Sequence, residues 1–82
     1  MKIRFLKKAA FKFIEKQPQK QRERIMAAVK KLPEGDIVPV EGMPGYYRMR
    51  VGGYRVVYTI DYTEKMIYVY HVGNRGDVYK AI

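Results

Sequence analysis

Tyr46–Tyr58 reads YYRMRVGGYRVVY, and this stretch decides how the chain folds. Large and basic residues alternate up to a Gly-Gly pair, and the alternation then resumes. A period of two marks a half-buried β-strand, and a glycine pair between two such runs marks a hairpin. The first run places Tyr46, Arg48 and Arg50 on one face and Tyr47, Met49 and Val51 on the other. Arg55 leads the return strand, flanked by Tyr54 and Val56. A sheet face carrying several arginines and aromatics suits an anion, because the planar guanidinium fork matches phosphate.

Working outward from the hairpin, the upstream half reads as one short strand and two helices. Lys2–Leu6 (KIRFL) alternates Ile3 and Phe5 against Arg4. Across Lys7–Lys16, Leu6, Ala10, Phe13 and Ile14 fall at helical spacing. Pro18 separates this helix from a second over Gln19–Leu32, whose apolar face holds Ile25, Met26, Val29 and Leu32. Glu34–Gly45 (EGDIVPVEGMPG) is a connector with only an extended piece at Ile37–Val40. Downstream, Tyr54–Asp61 and Met66–Val72 are strands joined by a polar turn, and Gly73–Asp77 breaks the second before a Val78–Lys80 tail. The order β-α-α-β-β-β predicts an α+β fold, an antiparallel sheet with an α-helical hairpin packed on one face. The other face stays open and carries Arg48, Arg50 and Arg55. Residues 1–82 form a single domain with one modest core.

Charge narrows the partners. Seventeen Lys and Arg against eight Asp and Glu give +9, which points to a polyanion or an acidic protein. Residues 1–34 hold eleven of those cations, and four of the six later ones are Arg48, Arg50, Arg55 and Arg75. Lysines on the helices thus supply diffuse attraction, and arginines supply geometry. The absence of cysteine rules out a disulfide framework and thiolate metal sites. No apolar run approaches the ~20 residues needed to span a bilayer, so a cytoplasmic protein without a membrane partner is expected. Neither metal-ligand spacing, nor a nucleotide-binding loop, nor a Ser or Cys nucleophile is present. His71, the only histidine, shares a face with Val69 and Ile67 by alternation. That makes it a packed residue first and a proton-transfer candidate second.

The runs YYRMRVGGYRVVYTID and IYVYHVGNRGDVY resemble the RelE/ParE superfamily of toxins from type II toxin–antitoxin systems. The resemblance spans nearly the whole chain and implies a RelE-like fold. It implies a ribosome-dependent, metal-independent mRNA endoribonuclease that inhibits translation and uses no cofactor. The family's catalytic positions fall on Arg48, Arg50, Arg55, Arg75 and Tyr79. Tyr46, Tyr54 and Lys80 are placed to contact RNA. The implied partners are a cognate acidic antitoxin, the ribosome and its mRNA near the 16S rRNA of the A site, and operator DNA only through the antitoxin. Some members carry lysine where this chain has Arg50, histidine at Asn74 and a basic residue at Gly76. Arginine holds its proton at any ordinary pH, so Arg50 stabilises charge and is no base. Two alternatives stand beside this reading: a ParE-like inhibitor of DNA gyrase without chemistry of its own, and a degenerate, non-toxic member.

Overall fold

The computed structural model describes residues 2–74. Two helices and five strands follow the order β1 (Lys2–Phe5), α1 (Lys8–Glu15), α2 (Gln19–Lys30), β2 (Asp36–Pro39), β3 (Tyr46–Val51), β4 (Tyr54–Asp61) and β5 (Met66–Asn74). The α+β architecture is the expected one, with two additions. The proline- and glycine-rich connector contributes an edge strand, β2, antiparallel to β3. β1 crosses to the far edge and pairs with β5 in parallel, so the sheet runs β1-β5-β4-β3-β2 and is mostly, not wholly, antiparallel. A strand followed by a helical crossover returns parallel, whereas hairpins return antiparallel.

The core lies between the helices and one face of the sheet. Ala10 and Ile14 from α1 and Ile25, Val29 and Leu32 from the α2 segment pack on Met49, Val51, Val56, Tyr58, Ile67, Val69 and Val72. Leu6, expected on the α1 stripe, precedes the helix and is 51% exposed. Pro18 takes the N-cap of α2 at φ −54°, which separates the helices as its fixed ring geometry dictates. The β4–β5 hairpin closes on Asp61, whose Oδ1 accepts the amides of Thr63 and Glu64 at 3.0 and 3.1 Å, the local bonding that favours Asp in turns.

The central hairpin turns at Gly52, where φ is +58°, a backbone region that glycine enters without strain. A Cβ added there would lie 3.0 Å from Nη1 and 3.2 Å from Cζ of Arg24 on α2. Gly52 therefore answers two demands at once: the tight turn, and the close approach of a helix side chain.

Candidate functional site

The sheet face away from the helices is organised in rows set by strand register. One row runs Asp36–Arg50–Arg55–Gly73 across β2 to β5. The next runs Val38–Arg48–Val57–His71, and a third runs Tyr46–Thr59–Tyr68–Arg4. Arg48, Arg50 and Arg55 therefore share one face, with Arg50 and Arg55 directly opposite one another. Like charges in that position repel, so the pair is tolerated at a cost that a bound anion would remove. Asp36 offsets little of it. Its Oδ2 is 3.9 Å from Nε of Arg50, and both side chains are more than half exposed, a geometry worth ~0–1 kcal/mol. Arg55 bends toward the turn, its Nη1 donating to the carbonyl oxygens of Tyr54 at 3.1 Å and Gly52 at 3.5 Å. Arg48 is half-buried and borders a groove with Val38, Pro39 and Glu41.

His71 corrects the alternation argument. Register shifts between Val57 and Tyr58: Val57 faces His71, and Tyr58 faces Val69, leaving Tyr70 as the extra residue of a β-bulge. One inserted residue reverses the faces of all that follows. Val69 and Ile67 stay under the helices, while His71 lies on the arginine side, across Val57 from Arg48. β3 and β5 are two strand spacings apart, roughly 10 Å, so both side chains can approach one phosphodiester. Burial pushes the His71 imidazole below its usual 6.5, and the Lys7 ammonium adds to the shift. Its neutral form, with a nitrogen lone pair available, is thereby favoured near neutral pH.

The exposed face is smaller than the alternation implies. Val40 and Val57 form a second small cluster there with Met43, Tyr46 and Tyr70. Tyr46 meets Tyr70 edge to face at 5.5 Å, and Nζ of Lys7 sits 4.9 Å above the Tyr70 ring. The loop from Val40 to Gly45 is held over the sheet by Thr59, whose hydroxyl donates to the Gly45 carbonyl at 2.7 Å. Tyr46 is thus a wall at one end of the face, and among the described residues the arginine row is the end left uncovered.

Tyr54 lies on the opposite side. It pairs with Val51, so alternation turns its ring under the helices. There its hydroxyl donates to Oε1 of Gln17 at 3.0 Å, and the ring meets Phe13 edge to face at 6.1 Å. Tyr54 is a strut between α1 and β4 and does not join the arginine face. Tyr58, beneath the helices, has its phenol pushed up to about 12 by burial, reinforced by Tyr47 and Tyr62, and stays protonated. Arg75, Tyr79 and Lys80 lie outside the described residues. Among the described residues, no three His, Cys, Asp or Glu side chains gather in a metal-binding group, and no helix is long and apolar enough to cross a membrane.

A family model for the ParE toxin of type II toxin–antitoxin systems, parDE, matches residues 4–79. The chain belongs to that family. Solved structures of the wider RelE/ParE superfamily share the fold of this ParE-family chain. The archaeal RelE in the RelE–RelB complex from Pyrococcus horikoshii matches with a TM-score of 0.74 at 23% identity, over 92% of this chain and 94% of its own. A chain of the RelBE2 toxin–antitoxin complex from Mycobacterium tuberculosis matches at 0.75 and 22% identity, over 90% and 96%. A mutant E. coli RelE in the free state matches at 0.73 and 26% identity, over 96% and 90%. No curated protein sequence matches the chain.

Proposed function

We propose that this toxin is a ribosome-dependent mRNA endoribonuclease whose reaction takes place on the arginine row of the sheet. One observation carries the reading: Arg48, Arg50 and Arg55 share one sheet face, with His71, a histidine of lowered pKa, across Val57 from Arg48. In the proposed reaction the 2′-oxygen of a ribose attacks the adjacent phosphorus, and the bond from phosphorus to the 5′-oxygen breaks. The 2′-hydroxyl proton goes to a base, and a proton is delivered to the departing 5′-oxygen. Arg48, Arg50 and Arg55, joined by Arg75, stabilise the charge gathered on the phosphoryl oxygens. His71 is the base that the described face offers. Tyr79 is the second proton-transfer group of the proposed reaction, and Lys80 binds the RNA backbone.

The substrate is mRNA in the ribosomal A site, against 16S rRNA, in the cytoplasm. The positive charge would be shielded between encounters by an acidic cognate antitoxin, through which operator DNA is reached; the likeness to RelE in its RelB complexes supports such a partner. The test is 5′-end mapping of cellular transcripts after induction of the wild type, Arg75→Ala and Tyr79→Phe. Codon-positioned ends that vanish in both variants are expected. Growth arrest without such ends overturns the reading. The family match to ParE favours one second reading, a gyrase inhibitor; accumulation of gyrase-linked DNA breaks would establish it instead. Normal growth with a folded protein would mark a non-toxic member.

A further inference from the structure

The hairpin tip carries a feature that the arginine row does not use. A groove of about 330 Å³ opens there on the helix side, lined by Gln21, Arg24, Gly53, Tyr54 and Asn74. Its cation stands close against the turn: the Arg24 guanidinium lies 3.0–3.3 Å from where a Gly52 Cβ would stand. On the other side of the same turn, Nη1 of Arg55 reaches the Gly52 carbonyl at 3.5 Å. Two guanidinium groups thus straddle one residue. Among the described residues, neither Arg24 nor Arg55 has a carboxylate within 4 Å. The groove lining adds amide donors from Gln21 and Asn74 and, among the described residues, no acid. Beside Arg55 the row ends at Gly73, which has no side chain, and β1 reaches along β5 only to Val69. Among the described residues, a chain crossing the arginine row therefore meets neither a side chain at Gly73 nor β1 as it passes the tip.

We infer that this groove is a second phosphate site, in which Arg24, Gln21 and Asn74 hold a backbone phosphate of the RNA strand leaving the arginine row. Guanidinium groups with no acid partner among the described residues, amide donors and adjacency to that row fit a phosphodiester, and the inference rests on the proposed RNA-binding role of the sheet. The planar guanidinium fork is preorganised, so less freedom is lost per hydrogen bond formed.

The test uses the full 82-residue chain and a single-stranded RNA oligonucleotide with 2′-O-methyl sugars, which cannot be cut. Affinity is measured against salt for the wild type, Arg48→Gln, Arg24→Gln and Gln21→Glu, with thermal melts confirming that each is folded. Gln21→Glu leaves the Arg24–Gly52 packing untouched and places a carboxylate in the groove. Each lost phosphate contact lowers the log–log salt slope by about 0.7 for a single strand. The inference expects that drop in Arg24→Gln and weaker binding at low salt in Gln21→Glu. Wild-type behaviour of either variant, with the slope lowered in Arg48→Gln, overturns it, and so does a loss confined to binding an acidic antitoxin peptide. A wild type that binds no RNA overturns the sheet-face reading itself, and the groove's role with it.

Discussion

Replacing Gly52 by alanine separates the two demands made on that residue. At φ +58° an L side chain is strained by ~1–2 kcal/mol. The added methyl would also stand 3.0 Å from Nη1 of Arg24. That atom ends a flexible side chain, so the guanidinium withdraws by a few tenths of an ångström and the turn itself need not distort. Backbone strain then dominates, and Gly52→Ala should lose ~1–2 kcal/mol. With a urea slope of about 1–3 kcal/mol per molar for a small domain, the unfolding midpoint falls by roughly 1 M. In an Arg24→Ala background the loss should be nearly the same, with a coupling energy below about 0.5 kcal/mol. Gly53 is the control. It is not among the residues of positive φ, and a Cβ there meets nothing within 4 Å, so Gly53→Ala should change stability by less than about 0.5 kcal/mol. Equal stability of Gly52→Ala and wild type, or equal losses at both glycines, would refute the reasoning.

Further expectations concern the two sides of the sheet. Gln17→Ala removes the acceptor of the Tyr54 hydroxyl and should lower stability by ~0.5–1.5 kcal/mol, read by urea unfolding, while RNA cleavage keeps its rate. Asp36→Asn removes the carboxylate facing Arg50; RNA binding should tighten at low salt, with stability changed by less than ~1 kcal/mol. His71 has a folded pKa below its usual 6.5, so the unfolded chain binds its proton first as pH falls. Its contribution to stability is complete above about pH 6.5 and is lost as pH drops through the lowered folded value. Urea midpoints at pH 7 and pH 5 should therefore diverge more for wild type than for His71→Asn.

The hairpin, the helical pair and the arginine face were legible because each rests on local periodicity. Met49 and Val51 are buried and Arg50 is exposed, as strict alternation requires. What periodicity could not supply is anything that depends on pairing between distant segments. The bulge at Val57/Tyr58 moved His71 to the arginine side, and no residue type in MIYVYHV announces it. The fold-over of Val40–Gly45 depends on Thr59 finding the Gly45 carbonyl fourteen residues away. β2 was legible only as an extended piece at Ile37–Val40, because proline is an edge-strand residue and Pro39 at the end of β2 made the segment read as connector. The seat of Arg24 on Gly52 joins α2 to the hairpin, a contact no spacing rule predicts. Tyr54 shows that closeness in sequence does not give a shared face. Its proximity to Arg55 in sequence suggested a shared role, yet neighbours in a strand face opposite ways.

The central claim is that chemistry occurs on the arginine row and not on the helix-covered side. Single-turnover cleavage of ribosome-bound mRNA by Arg55→Gln and Gln17→Ala, beside wild type, tests it most directly. Removing one charge-stabilising donor should slow cleavage roughly 10²–10³-fold in Arg55→Gln, with Gln17→Ala at the wild-type rate. Full activity of Arg55→Gln, or an equal loss in both variants, would contradict the account.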